Sequence, residues 1–155
     1  MISNPGGSPF TQGARVYHSV NQNVNTATPT TVIFDSEMYD TDNIHDNITN
    51  NSRLTCRTAG KYLICACIHW STKGGTGLGD YYTVVYIDLN GGPPSVVRTH
   101  KPAGADFHAD VSLATIYDLA VGDYLEMVVF QNSGDTLQAE SYNEASLMFM
   151  MQRIG

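Results

Sequence analysis

Between residues 62 and 70 the chain alternates with the period of a β-strand, yet both faces of the alternation are apolar. One face carries Tyr62, Ile64, Ala66, Ile68 and Trp70; the other carries Leu63, Cys65, Cys67 and His69. Successive side chains of a strand point to opposite faces, and a strand in a two-sheet sandwich has one face on the core and one toward water. A strand that is apolar on both faces needs a second cover. Leu147-Met148-Phe149-Met150-Met151 has the same property. Residues 111–119 come close to it, with Val111, Leu113, Thr115 and Tyr117 opposite Ala114, Ile116 and Asp118. The expected cover is another copy of the chain. The competing reading puts these strands at the centre of one larger core.

The rest of the chain repeats short β-rich runs, broken by turn residues every eight to twelve positions, the pattern of a sandwich or barrel. The runs predict strands over residues 15–19, 31–35, 52–57, 61–71, 81–89, 96–101, 109–119, 123–131 and 145–153. Ala59-Gly60, the run Asn90-Gly91-Gly92-Pro93-Pro94, and Asn132-Ser133-Gly134-Asp135 supply the breaks. No stretch has a 3.6-residue period with caps, so no long helix is expected. The predicted class is all-β, a two-sheet antiparallel sandwich. Residues 1–13, rich in Gly and Pro with almost no apolar material, read as a flexible arm, and residues 14–155 as one domain. A chain of 155 residues buries enough surface to fold without a disulfide or metal.

Charge narrows the partners. The formal net charge is −7, and the few basic residues are scattered. A phosphate backbone needs clustered positive charge, so nucleic acid is excluded as a partner. No apolar run approaches 18 residues, which argues against membrane insertion, and the first residues lack the features of a secretion signal. Manufacture in a cytoplasm is the expectation. Cys56, Cys65 and Cys67 are an odd number for a disulfide framework. Cys65 and Cys67 share a strand face about 7 Å apart, too far for a relaxed bridge. All three read as small buried hydrophobes with free thiols.

The chemistry-bearing motifs are weak. His18, His45, His69, His100 and His108 have no short ligand spacing and read as isolated surface or edge-strand residues. GxSxG is absent, so no catalytic residue is assigned and an enzyme is not expected. The glycine run from Gly74 to Gly79 lacks the spacing of a nucleotide loop and precedes a strand instead of a helix. It is read as a recognition loop, with Lys73, Gly75, Gly77, Asp80, Tyr81 and Tyr82 as candidate ligand-binding residues. Asp40, Asp42 and Asp46 lie in an oxygen-rich run that offers calcium ligands, but without the glycine and glutamate of an EF-hand. Hydrated loop is the default for that run, and no cofactor is required. Sugars stack on exposed aromatics, which directs attention to Tyr39, Tyr81, Tyr82 and Tyr142.

Three segments in order, Gly60-Lys61-Tyr62-Leu63-Ile64, then Tyr86-Ile87-Asp88-Leu89-Asn90-Gly91, then Leu119-Ala120-Val121-Gly122-Asp123-Tyr124-Leu125, resemble the complement C1q and tumour-necrosis-factor (TNF) jelly roll. The closing Phe149-Met150-Met151-Gln152-Arg153-Ile154-Gly155 fits its terminal strand. Ala14-Arg15-Val16-Tyr17, Phe34-Asp35-Ser36-Glu37, Tyr39-Asp40-Thr41-Asp42 and Asn50-Asn51-Ser52-Arg53-Leu54-Thr55-Cys56 are similar to the version found in phage and bacterial genomes. The resemblance covers residues 14–155. It implies about ten strands, a threefold homotrimer, and one sheet that holds strands 61–71, 109–119 and 145–153 against the trimer axis. The implied interface is Leu63, Cys65, Cys67, His69, Ala114, Ile116, Met148 and Met150. It also implies that strands 52–57 and 61–71, which look like a hairpin, cross between sheets. The phage branch implies a non-enzymatic virion surface protein, either capsid decoration or a head fibre, with the major capsid protein or tail and fibre components as partners. The alternative is a tail-fibre module that recognises a host-surface glycan or protein.

Overall fold

Twelve strands form two antiparallel sheets in the computed structural model, which describes residues 11–72, 81–103 and 108–155. The strands are β1 (Gly13–Tyr17), β2 (Gln22–Val24), β3 (Thr30–Thr31), β4 (Ser36–Asp40), β5 (Arg53–Thr55) and β6 (Gly60–Trp70). They continue as β7 (Tyr81–Leu89), β8 (Gly92–Ala103), β9 (Ala109–Leu119), β10 (Tyr124–Gln131), β11 (Leu137–Glu140) and β12 (Leu147–Arg153). No helix among the described residues is long and apolar enough to cross a membrane.

The larger sheet is organised by β6. Along one edge it pairs with β9 over its whole length, from Gly60↔Leu119 to Trp70↔Ala109. Along the other it pairs first with β12, from Arg153↔Tyr62 to Leu147↔Ile68, and then with β11 at His69 and Trp70. β1 follows β12, and β4 follows β1. β2 pairs with β11. The smaller sheet runs β3–β10–β7–β8, with β5 also on β10. The apparent hairpin of β5 and β6 is therefore a crossing between sheets, as the resemblance implied.

Alternation decides the core. Tyr62, Ile64, Ala66, Ile68 and Trp70 of β6, with Leu147, Phe149 and Met151 of β12, are buried. They face Val85, Ile87, Leu125, Met127 and Val129 of the smaller sheet in one cluster. Phe34 joins Phe149 with ring centroids 5.7 Å apart. Each of the Val, Leu, Ile, Met and Phe side chains contributes about 1.5–3 kcal/mol by leaving water.

Four expectations are corrected by this pairing. Residues 31–35 are not one strand: β3 ends at Thr31 in the smaller sheet and β4 begins at Ser36 in the larger. Val32 and Phe34 still alternate inward because the chain crosses the top of the core there, with Val32 N–H on the Met127 carbonyl and Phe34 N–H on that of Asn51. The turn after β7 is only Asn90-Gly91, both at positive φ. Pro93 and Pro94 fall inside β8, an edge strand whose pairing with β7 shifts register near Asp88, where a missing N–H is tolerated. β2, β4 and β11 are additional to the strands expected. Finally, residues 11–13, expected in the arm, are tied to the body of the domain. Gly13 is part of β1, the Gln12 carbonyl accepts from Arg153 N–H (2.8 Å), and the Thr11 carbonyl accepts from the Thr41 hydroxyl. Residues 1–10, the rest of that arm, lie outside the described residues.

Candidate functional site

The outward face of the larger sheet is built by the odd-numbered residues of β6. Leu63, Cys65, Cys67 and His69 all point away from the core and are half-buried within the single chain. The registers extend each into a row across the sheet. The Cys65 row reads Ala114, Cys65, Met150, Arg15, Tyr39, spanning five strands. The Cys67 row reads Ser112, Cys67, Met148, Tyr17, Ser36. The Leu63 row joins Ile116 to Gln152. Met148 and Met150 are half-buried, Ala114 is exposed, and Ile116 is 58% exposed.

These eight residues thus share one face of the sheet. Reasoning from the sequence missed Arg15, Tyr17 and Tyr39, which extend the face over β1 and β4. Their signal was present in the alternation of Ala14 and Val16, which are buried, with Arg15 and Tyr17. The thiols on this face are not activated. Burial pushes both up, and the nearby Asp110 carboxylate adds to this at Cys67. Neutral thiols behave as small apolar groups. Cys56 is fully buried in the core with its thiol also raised by burial, and all three cysteines are free.

One end of the face is polar and titratable. His69 pairs in register with Asp110 on β9 and Glu140 on β11. His69 Nδ1 lies 2.5 Å from Asp110 Oδ1. His69 Nε2 lies 3.2 Å from His108 Nδ1 and 3.6 Å from Glu140 Oε2. His108 Nδ1 is 3.2 Å from the same Glu140 oxygen. The Tyr142 hydroxyl donates to Glu140 Oε2 (2.8 Å), and the Tyr142 ring meets His69 edge-on at 5.0 Å. Short-range spacing did not reveal this cluster, because its members come from β6, β11 with the residues after it, and β9 with the residue before it, brought together only by the sheet.

The other sequence candidates are dispersed. Lys73, Gly75, Gly77 and Asp80 lie outside the described residues. Tyr81 is buried in the core, so its ring cannot stack on a sugar. Tyr82 points to the opposite outer face, stacked on Phe130 at 5.8 Å with His100 edge-on at 4.6 Å. Tyr82 and Phe130, with Pro29, Val84, Tyr86, Ser95 and Arg98, line an open recess of about 250 Å³. The oxygens of the acidic run are engaged in holding their own loop. Asp40 accepts from the amides of Asp42, Ile44 and His45, Asp42 from the Thr58 hydroxyl, and Asp46 from the amides of Ile48 and Thr49. Asp40, Asp42 and Asp46 are not among the residues whose ligand atoms converge for a metal. Two histidines expected at the surface are buried. His45 binds Glu37 through Nδ1 (3.0 Å) and the Asn51 carbonyl through Nε2 (3.1 Å), and His18 lies 3.4 Å from Asp35.

Neither a family model nor a curated protein matches this chain. Solved structures do. The globular domain of zebrafish complement 1qA superimposes with a TM-score of 0.63 at 14% identity, covering 93% of this chain and 98% of that one. Eiger TNF from S. frugiperda gives 0.62 at 14% identity, covering 95% and 94%. The fold is a C1q/TNF-like jelly roll. Both matches run nearly end to end, so the C1q/TNF-like architecture accounts for the whole described chain.

Proposed function

We propose that this chain is a non-enzymatic binding module that works as a homotrimer, each copy seated against the next through the outward face of its larger sheet. The observation that carries this reading is the set of rows across Cys65 and Cys67. They place apolar side chains on the side of the sheet that the chain's own core does not cover. Water contact with such a face is unfavourable, and a threefold arrangement removes it from all copies at once. Light scattering on the dilute protein tests it. A mass near 51 kDa, three times 16.9 kDa, is expected, and a monodisperse monomer overturns it.

The setting we propose is the surface of a bacteriophage particle, as a capsid decoration or head-fibre protein. Its support is the resemblance of the segments around Arg15, Asp35, Asp40 and Arg53 to phage-borne versions of the fold. The first ten residues would supply the contact with the capsid lattice. Trimers lacking residues 1–10 are expected to bind emptied capsids more weakly than the full chain, and equal binding removes the arm from the mechanism.

The aromatic recess on the smaller sheet favours a second reading, recognition of a host-surface glycan. Tyr82, Tyr86 and Phe130 offer stacking surfaces beside the Arg98 guanidinium. Binding to immobilised glycans that is lost in Tyr86→Ala would select this reading over decoration.

A further inference from the structure

We propose that His69 Nε2, His108 Nδ1 and Glu140 Oε2 form a site for one tetrahedral divalent transition-metal ion of the zinc class. All three donors come from one chain, so the proposal does not rest on the particle.

Geometry is the first argument. The three donor atoms form a triangle with sides of 3.2, 3.6 and 3.2 Å. A tetrahedral ion with ligands at about 2.0–2.1 Å requires its ligands to be about 3.3–3.4 Å from one another. An octahedral ion at the same bond length requires about 2.9 Å, and magnesium and calcium select oxygen donors. Two imidazoles and one carboxylate are a transition-metal set.

The surroundings are the second argument. Asp110 Oδ1 accepts from His69 Nδ1, so the proton of a neutral His69 sits on Nδ1 and the Nε2 lone pair faces His108 and Glu140. This carboxylate–imidazole pairing is the outer-shell arrangement that orients metal-bound histidine. The Tyr142 hydroxyl donates to Glu140 Oε2, the same oxygen that faces the histidines, and so fixes its position, and the His69 and His108 rings stack at 4.9 Å. The sheet fixes the rest, since His69 is in register with both Asp110 and Glu140. His108 Nδ1 also lies 3.3 Å from the Trp70 carbonyl, a contact that metal ligation replaces.

The His108 side chain is 48% exposed, so an ion can reach the donors from solvent in the single chain. The ion would tie the start of β9 and the end of β11 to β6, at the polar end of the assembly face.

The test uses the full chain stripped with a chelator. Calorimetric titration with zinc should show one ion per chain, with no comparable uptake of magnesium or calcium. Cobalt should give the intense visible absorption of a four-coordinate nitrogen–oxygen site. His69→Ala and Glu140→Gln should lose the saturable binding, Asp110→Asn should weaken it about 10–100-fold, and His100→Ala should bind like the parent. Zinc binding that is unchanged in both His69→Ala and Glu140→Gln overturns the site. If those variants fold poorly by circular dichroism, the parent cobalt spectrum decides alone, and a weak six-coordinate spectrum refutes it.

Discussion

Replacing Cys67 with aspartate tests the assembly face more sharply than any other single change. Cys67 lies mid-face between Met148 and Ser112, its row carries no cation, and the Asp110 carboxylate is close enough to raise its thiol. Met150 is a less clean position, because Arg15 is its register partner on β1 and would pair with an introduced carboxylate. In the isolated chain the side chain at 67 faces outward and is only half-buried, so the fold should survive with a loss of about 1 kcal/mol. In a threefold assembly an unpaired carboxylate is enclosed in every copy. Taking about 3 kcal/mol for each, from the cost of an uncompensated buried charge, the trimer loses about 9 kcal/mol. That is about six powers of ten in the trimerisation constant. Light scattering should therefore report a 16.9 kDa species whose circular dichroism matches the parent. His100→Asp, on the outer side of the smaller sheet, should remain a trimer. A Cys67→Asp protein that stays trimeric at micromolar concentration would refute the placement of this face at the interface.

Intact mass after alkylation in denaturant should show three modified thiols per chain, and Cys56→Ala should cost about 1–2 kcal/mol in urea unfolding through lost packing. Removing residues 1–10 should leave the melting temperature unchanged, whereas removing 1–13 should lower it by deleting Gly13 from β1 and the Gln12 carbonyl from Arg153. Burial works to raise the Asp35 carboxyl, but hydrogen bonds from the Ser19 hydroxyl and amide and from Ser36 outweigh it and hold it below the usual range. The stability it contributes is thus present above the ordinary carboxylate pKa and lost as pH falls through the lowered folded value. Acid unfolding curves of Asp35→Asn should lack that part of the loss.

The long strands were legible because their side chains repeat with period two and bury one full face. β6, β9 and β12 therefore stand out, and the second, largely apolar face of β6 and β12 is on the surface where a partner can reach it. The short strands were not legible. Gln22-Asn23-Val24 and Leu137-Gln138-Ala139-Glu140 have too few residues to show a period, and they are strands because they pair with each other. Residues 31–35 misled for the opposite reason, since alternation continued through a crossing between sheets. Pro93 and Pro94 read as a turn because the edge position that tolerates them is a property of the sheet. The histidine cluster escaped because register, not spacing along the chain, brings His69, His108 and Glu140 together. Tyr81 shows the reverse limit, as a single aromatic beside a glycine run gives no sign of which way its ring will turn.

The position of β12 between β6 and β1 has a consequence for how the protein is made. During synthesis the larger sheet has a gap where that strand belongs, bounded by β1, which emerges early, and β6, which emerges midway. Neither can find this neighbour until residues 147–153 have left the ribosome, so until then the nascent chain carries an open backbone edge on each. Pairings this distant in sequence close slowly, and until they do, the thioether and thiol side chains of the future outward face are exposed beside those edges. Nascent chains of different ribosomes on one message are thus at risk of pairing with each other before each has its own last strand. A slow start to folding and a dependence of yield on expression rate are the cost of closing the sheet from its end.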